Sequence, residues 1–272
     1  MLPFSKLQGT GNDFVIIDNR NGEFAKFIGN RDFAEAVKII CQRKKSVGAD
    51  GLILIEPCET ANFRWRFFNS DGSPAEMCGN GARCAARFAF EKGIAPTRMS
   101  FETEAGIIDA TVNGRNVKVK LTEPFDLKLN MEVEGIKGNF INTGVPHFVI
   151  FVEDLENTDV TNIGKAVRFS EAFQPQGTNV DFVSVKAQNL KVRTYERGVE
   201  SETFACGTGA VASALISAIV YNLSSPLTVE TKSGEKLKVF FEKENLKFKN
   251  VYLEGITTWI YDGEIREEIF KQ

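Results

Sequence analysis

Short apolar runs broken by glycine, asparagine and aspartate set the rhythm of this chain. Residues 14–18 (Phe-Val-Ile-Ile-Asp) read as a buried strand after the turn Gly9-Thr10-Gly11-Asn12-Asp13, because the run has no polar face to show to water. Phe33, Val37, Ile40 and Cys41 then recur at helical spacing, with Asn30 placed to cap that helix and Lys44 and Lys45 in its last turn. Gly48-Ala49-Asp50-Gly51 turns into a strand over residues 52–55, and residues 63–68 form another. A polar loop, residues 69–74, delivers Cys78, and the Ala-rich helix after it stops at Gly93. Three strand-like segments follow as far as Leu121. Residues 210–221 are apolar nearly all round, so a helix there belongs in a buried interior.

The same order of events returns at a nearly constant offset. Cys78-Gly79-Asn80-Gly81-Ala82 is echoed 128 residues on by Cys206-Gly207-Thr208-Gly209-Ala210, and Phe101-Glu-Thr-x-x-Gly106 by Val229-Glu-Thr-x-x-Gly234 at the same offset. Arg66 matches Arg193 at 127, and Gly48 matches Gly177 at 129. Residues 9–15 resemble residues 177–183 by eye, but their offset of 168 breaks the series. Thr10-Gly11-Asn12 instead pairs with Thr143-Gly144-Val145 at 133, which puts Asn12 and Val145 in equivalent places. The chain therefore reads as an internal duplication of the α+β class. Two pseudo-symmetric domains are expected, each a mostly antiparallel sheet or barrel around a central helix, with the active site in the interdomain cleft. Residues 1–122 form the first domain and 123–256 the second, with 257–272 returning as strands to the first.

Composition narrows the function. Of 272 residues, 43% are hydrophobic and 25% charged, the balance of a folded globular chain. A net charge of -3 and the lack of a basic cluster argue against nucleic acid or a membrane as partner. The N-terminus lacks the charged-then-apolar order of a signal peptide, and the longest apolar run falls short of the roughly 20 residues that span a bilayer, so a cytoplasmic protein is expected. Five cysteines without regular spacing argue against a disulfide framework. A single histidine, His147, leaves too few soft ligands for an ordinary zinc site, so no metal is expected.

Cys78 and Cys206 each stand directly before a Gly-x-Gly turn that opens a helix. The helix N-terminus carries partial positive charge and unpaired N–H groups, which favour S⁻ and lower a cysteine pKa from about 8.5 towards neutrality. Two such sulfurs suit inversion of an amino acid α-carbon, one as base and the other as acid, with a thiol and a thiolate coexisting at neutral pH. The N–H groups of Gly79, Asn80, Gly207 and Thr208 would stabilise the charge that spreads into the carboxylate. No pyridoxal or other cofactor is then required. Three other readings compete. Both cysteines could be small buried hydrophobes, as Cys41 and Cys84 are read to be, while Cys58 stays open. Gly207-Thr-Gly-Ala-Val-Ala212 also fits a dinucleotide fingerprint with Glu230 behind it, but residues 199–204 are too polar for the buried strand this needs. Finally, the fold could serve a non-catalytic small-molecule-binding protein. His147 and Glu196 could tune the sulfurs, and Arg197 would suit a substrate carboxylate; each is also a common structural residue.

With these residues in view, the chain resembles diaminopimelate epimerases over essentially its whole length. The matching stretches are Gly9-Thr-Gly-Asn-Asp-Phe14, Val47-Gly-Ala-Asp-Gly51, Phe68-Asn-x-Asp-Gly-Ser73, Met77-Cys-Gly-Asn-Gly-Ala-Arg83, Pro146-His147, Tyr195-Glu-Arg-Gly198 and Ala205-Cys-Gly-Thr-Gly209. The resemblance implies a cofactor-independent isomerase that interconverts LL- and meso-diaminopimelate for lysine and cell-wall synthesis, with two domains closing over the substrate. It makes Cys78 and Cys206 the base and acid pair, tuned by His147 and Glu196. It places Gly79, Asn80, Gly207 and Thr208 on the reacting carboxylate, Asn12 and Glu196 near the reacting amino group, and Asn69, Asn179 and Arg197 on the distal end. A homodimer is a possible assembly. Val145 stands where many members have asparagine, and Gly51 where some have glutamine; both bear on substrate contacts. A two-cysteine racemase of another amino acid such as proline is the nearest alternative.

Overall fold

The computed structural model describes residues 1–75 and 77–271. Its chain divides into two compact units, Met1–Val119 with Gly255–Gln272, and Lys120–Glu254. The first opens with an antiparallel hairpin of β1 (Leu2–Gly9) and β2 (Asn12–Asp18). Helices α1 (Glu23–Ile28) and α2 (Phe33–Cys41) lead to β3 (Gly51–Glu56), parallel to β2, and β4 (Phe63–Asn69) returns antiparallel to β3. After α3 (Gly79–Glu91), β5 (Arg98–Thr103) lies parallel to β4, and β6 (Gly106–Asn113) and β7 (Asn116–Lys120) follow as antiparallel neighbours.

The second unit begins with β8 (Phe125–Val133), β9 (Ile136–Asn142) and β10 (Pro146–Phe151), successive antiparallel neighbours. Helix α4 (Val160–Phe169) leads to β11 (Asn179–Lys186), parallel to β10, and β12 (Asn189–Glu196) returns antiparallel with a three-residue side strand, β13 (Ser201–Thr203). After α5 (Gly207–Val220), β14 (Leu227–Glu230) lies parallel to β12, and β15 (Lys236–Glu244) and β16 (Lys247–Ile265) are antiparallel. From β1 and from β9 onward, the alternation of antiparallel and parallel pairings is the same, so the duplication is written in the topology. The end of β16 belongs to the first unit, where it pairs with β1 from Leu2↔Ile265 to Gly9↔Thr257. Because β7 also borders β16, that ring of strands closes.

Residues 14–17 of β2 and 52–55 of β3 are apolar without a break because both faces are covered there. Phe14, Ile53 and Trp65 approach α3 at Gly81. Val15, Ile17, Leu52 and Leu54 point the other way and pack with Phe24, Phe27, Val37 and Ile40 of α1 and α2. Each such buried side chain contributes about 1.5–3 kcal/mol of transfer free energy. The central helices are alanine-rich for a steric reason: Ala82, Ala85, Ala86 and Ala89 of α3 are fully buried, and so is all of α5 from Gly209 to Ala218. Small side chains let the surrounding strands approach at interior packing density. Among the described residues, no helix is long and apolar enough to cross a membrane.

Three expectations are corrected. The cap of α2 is Asp32, whose carboxylate accepts the Glu35 N–H at 2.9 Å, and not Asn30. That helix ends at Cys41, so Lys44 and Lys45 lie beyond it. The third concerns the hairpins. Gly9 pairs with Asn12 across two residues, whereas Asn142 pairs with Pro146 across three. The second loop therefore holds one residue more, and by strand register the counterpart of Asn12 is Pro146. Gly51 has a packing cause: a Cβ there would sit 2.5 Å from the Phe67 ring and 2.7 Å from the Phe68 carbonyl oxygen. A glutamine would need that ring moved.

Candidate active site

The first cysteine cluster is built on α3. Cys78 is its N-cap in extended conformation, and its Sγ accepts the Gly81 N–H at 3.4 Å. As first-turn residues, Gly79 and Asn80 have N–H groups with no carbonyl inside the helix to bond. A chain of side chains fixes the surroundings. The Asp50 carboxylate accepts from Asn12 Nδ2 at 3.2 Å, Asn12 Oδ1 accepts from Asn80 Nδ2, and Asn80 Oδ1 accepts from Arg83 at 2.8 Å. An acceptor-only carboxylate at one end and a donor-only guanidinium at the other leave one orientation for both amides. Arg83 is fully buried and also donates to the Gly79 carbonyl and to Thr10 Oγ1, at 3.2 and 2.6 Å. It holds a full positive charge at the helix start, where the backbone dipole already favours an anion. Asn69 sits apart in an exposed turn, with Nδ2 on Ser73 Oγ at 3.1 Å.

The second cluster is built on α5 and carries the opposite charge. Cys206 is the N-cap, buried, with Sγ 3.4 Å from the Gly209 N–H and 3.4 Å from Thr208 Oγ1. Thr208 also gives its carbonyl to Thr143 Oγ1 at 3.2 Å. His147 of β10 and Asp181 of β11 are both fully buried and meet at 2.7 Å, Nδ1 to Oδ2. Thr194 of β12 donates to the other Asp181 oxygen at 2.6 Å. Burial pushes the Cys206 thiol well above its usual range, and the negative charges of Glu196 and Asp181 add to this. Burial likewise raises the Glu196 carboxyl. The expectation that a helix start lowers both cysteines is thus overturned for Cys206: partial charges on N–H groups lose to desolvation and two nearby carboxylates.

Asn179 and Arg197 belong together. Asn179 Oδ1 accepts the Arg197 N–H at 2.8 Å, and its Nδ2 donates to the Pro146 carbonyl at 3.1 Å. The amide thereby ties the segment after β12 to β10. One Arg197 guanidinium N–H goes to the Gln176 carbonyl at 3.1 Å. Sequence reasoning assigned no role to Asp50, Arg83 or Asp181. Two of them carried a signal: Arg83 is a charge inside an Ala-rich apolar helix, and Asp181 a charge within the apolar run Val180-Asp181-Phe182-Val183. Among the described residues, no group of three or more His, Cys, Asp or Glu is placed to hold a metal ion.

Known proteins resemble this chain over nearly its whole length. The diaminopimelate epimerase family model matches residues 4–125 and 139–259. A diaminopimelate epimerase of Aquifex aeolicus (strain VF5) is 50% identical, with 99% of this chain and 100% of that protein covered. One of Chlorobaculum tepidum is 42% identical, with 95% and 99% covered. Among solved structures, a Bacillus anthracis phenazine biosynthesis protein of the PhzF family superposes with a TM-score of 0.74 at 16% identity, covering 97% of this chain and 99% of that one. A hydroxyproline epimerase from Agrobacterium vitis gives 0.71 at 12% identity, covering 96% and 91%. The two structures share the fold, while the sequence matches are far closer and run end to end, so the chain belongs to the diaminopimelate epimerase family.

Proposed function

We propose that this chain interconverts LL- and meso-diaminopimelate, with Cys78 and Cys206 acting on opposite faces of one α-carbon. The observation that carries this is the duplicated helix start, a cysteine at each N-cap followed by first-turn N–H groups without helical partners, in a chain of this family. One thiolate takes the α-hydrogen as a proton and becomes a thiol. The electron pair left on carbon passes into the carboxylate, where the N–H groups of Gly79, Asn80, Gly207 and Thr208 meet the growing charge. The other thiol protonates the opposite face and is left as thiolate. Nothing is gained or lost, and the reverse direction exchanges the roles.

The charges support a resting state with the thiolate at Cys78. The Arg83 cation beside the first turn of α3 favours an anion there, while burial, Glu196 and Asp181 favour the thiol at Cys206. His147 and Glu196 tune this pair. Asn12, held by Asp50 and Asn80, lies by the reacting amino group, and Asn69 and Arg197 read the distal end, with Asn179 fixing the segment that carries Arg197. A reducing cytoplasm and a homodimeric assembly go with this reading, and no cofactor takes part.

The test is α-deuteration in D₂O, followed by NMR with reductant and chelator present, offering LL-diaminopimelate and proline separately. Exchange of diaminopimelate alone, with meso product appearing, is expected. Exchange of proline alone would overturn the substrate. No exchange of either, with thiols titrated as reduced, would overturn the enzyme in favour of a binding protein.

A further inference from the structure

The second copy differs from the first in one wall. A Cβ on Gly81 of α3 would meet Trp65, Ile53 and Phe14, whereas a Cβ on Gly209 of α5, its counterpart, would meet Asp181 and Thr194. The fold builds this wall from apolar side chains in the first unit, so it does not require a buried carboxylate in the second. We propose that Asp181 is a positioning residue for His147, holding the ring as the Nδ1–H tautomer so that Nε2 keeps its lone pair.

The hydrogen bonds give the direction. Thr194 Oγ1 donates to Asp181 Oδ1 at 2.6 Å, which leaves Oδ2 to face His147 Nδ1 at 2.7 Å. An ionised carboxylate only accepts, so Nδ1 carries the proton and Nε2 does not. Nε2 is buried and has no hydrogen-bond partner among the described residues. A proton there would be an orphaned donor, which interiors avoid more strictly than an orphaned acceptor. Asp181 is itself anchored: its Oδ1 lies against Gly209, one helical turn from the Cys206 cap. An unprotonated ring nitrogen at this depth is a base, able to take a proton from a thiol or an ammonium group and return it. The role of that base in turnover rests on the proposed epimerase reading; the tautomer does not.

His147 is the only histidine in the chain, so ¹⁵N-histidine labelling of the intact protein gives one imidazole signal set. The expected spectrum near neutral pH shows a protonated Nδ1 and a bare Nε2. In Asp181→Asn, Thr194 keeps the amide oxygen facing itself and turns the NH₂ toward the ring, so the proton moves to Nε2. Turnover of diaminopimelate should fall with it by about 10²–10⁴-fold, the range for a general base lost to the wrong tautomer. A wild-type ring protonated at Nε2 would overturn the assignment, even if the variant did not fold. A tautomer swap with activity kept within about threefold would overturn the positioning role. A wild-type protein with the expected tautomer and no activity on diaminopimelate would support the assignment and count against the proposed function instead.

Discussion

Replacing each helix-start glycine by alanine should give very different results at two positions that the duplication makes equivalent. In Gly81→Ala the new Cβ meets Ile53 Cδ1 at 3.4 Å and Phe14 Cε1 at 3.5 Å in ordinary apolar contact, and Trp65 Cζ3 at 3.3 Å, where the ring must give slightly. Alanine gains up to about 1 kcal/mol over glycine in a helix interior, so the net change should lie within about 1 kcal/mol of zero. In Gly209→Ala the Cβ falls 2.3 Å from Asp181 Oδ1, about 1 Å inside normal C···O contact. That oxygen cannot retreat unaided, because Asp181 is held by Thr194 on one side and His147 on the other. Breaking one of these buried bonds costs about 1–3 kcal/mol, and overpacking adds a similar amount. After the helical gain, about 1–5 kcal/mol of destabilisation remains. Guanidinium unfolding of both variants beside wild type, followed by circular dichroism, reads the difference as a shift in midpoint. Equal midpoints for the two variants would refute the reasoning, since they would mean Asp181 moves without loss.

Two other outcomes follow from single sites. Arg197→Ala should lower kcat/KM for diaminopimelate by about 10–100-fold, the worth of a hydrogen bond to a charged group, whereas a loss below about threefold would argue for a smaller substrate without a distal charge. Burial pushes the Cys41 thiol up to about 12, above its unfolded value of about 8.5. A raised folded pKa gives stability that is complete below the unfolded value and lost as pH climbs towards the folded one. The stability advantage of wild type over Cys41→Ala should therefore shrink between about pH 8.5 and 12; a difference independent of pH would contradict the assignment.

What could be read from the sequence was local. Cys78 and Cys206 were identifiable as helix starts because capping depends on the next three residues, and Gly-x-Gly before an alanine run leaves little choice. Buried strands such as β2 and β3 were visible because two covered faces give an unbroken apolar run. Helix α1 was not, since six residues hold too little periodicity to distinguish it from a loop. The equivalence of Asn12 and Pro146 was hidden for a different reason: constant offsets cannot locate a one-residue insertion inside a turn, whereas strand register places it between Asn142 and Pro146. The environment of Cys206 was the hardest to foresee. Its opposing charges come from Asp181 on β11 and Glu196 on β12, and only the pairing of those strands sets them near the helix start.

That environment bears on how a duplicated fold can run a two-base reaction. Two identical copies would give two sulfurs of equal basicity, and one proton shared between them would sit on either with equal weight. Half of the resting molecules would then be in the wrong form for a given substrate. Here the copies have diverged in charge while keeping the backbone. Arg83 places a buried cation at one helix start, and Asp181 with Glu196 places anions near the other. The proposed resting state follows from that difference, and so does a consequence for turnover. In the proposed reaction each passage in one direction moves a proton from the Cys206 side to the Cys78 side and leaves the less favoured pair, thiol at Cys78 and thiolate at Cys206. Restoring the rest state requires a group that can carry a proton, and the His147 ring nitrogen that the proposal leaves bare has the chemistry to do it.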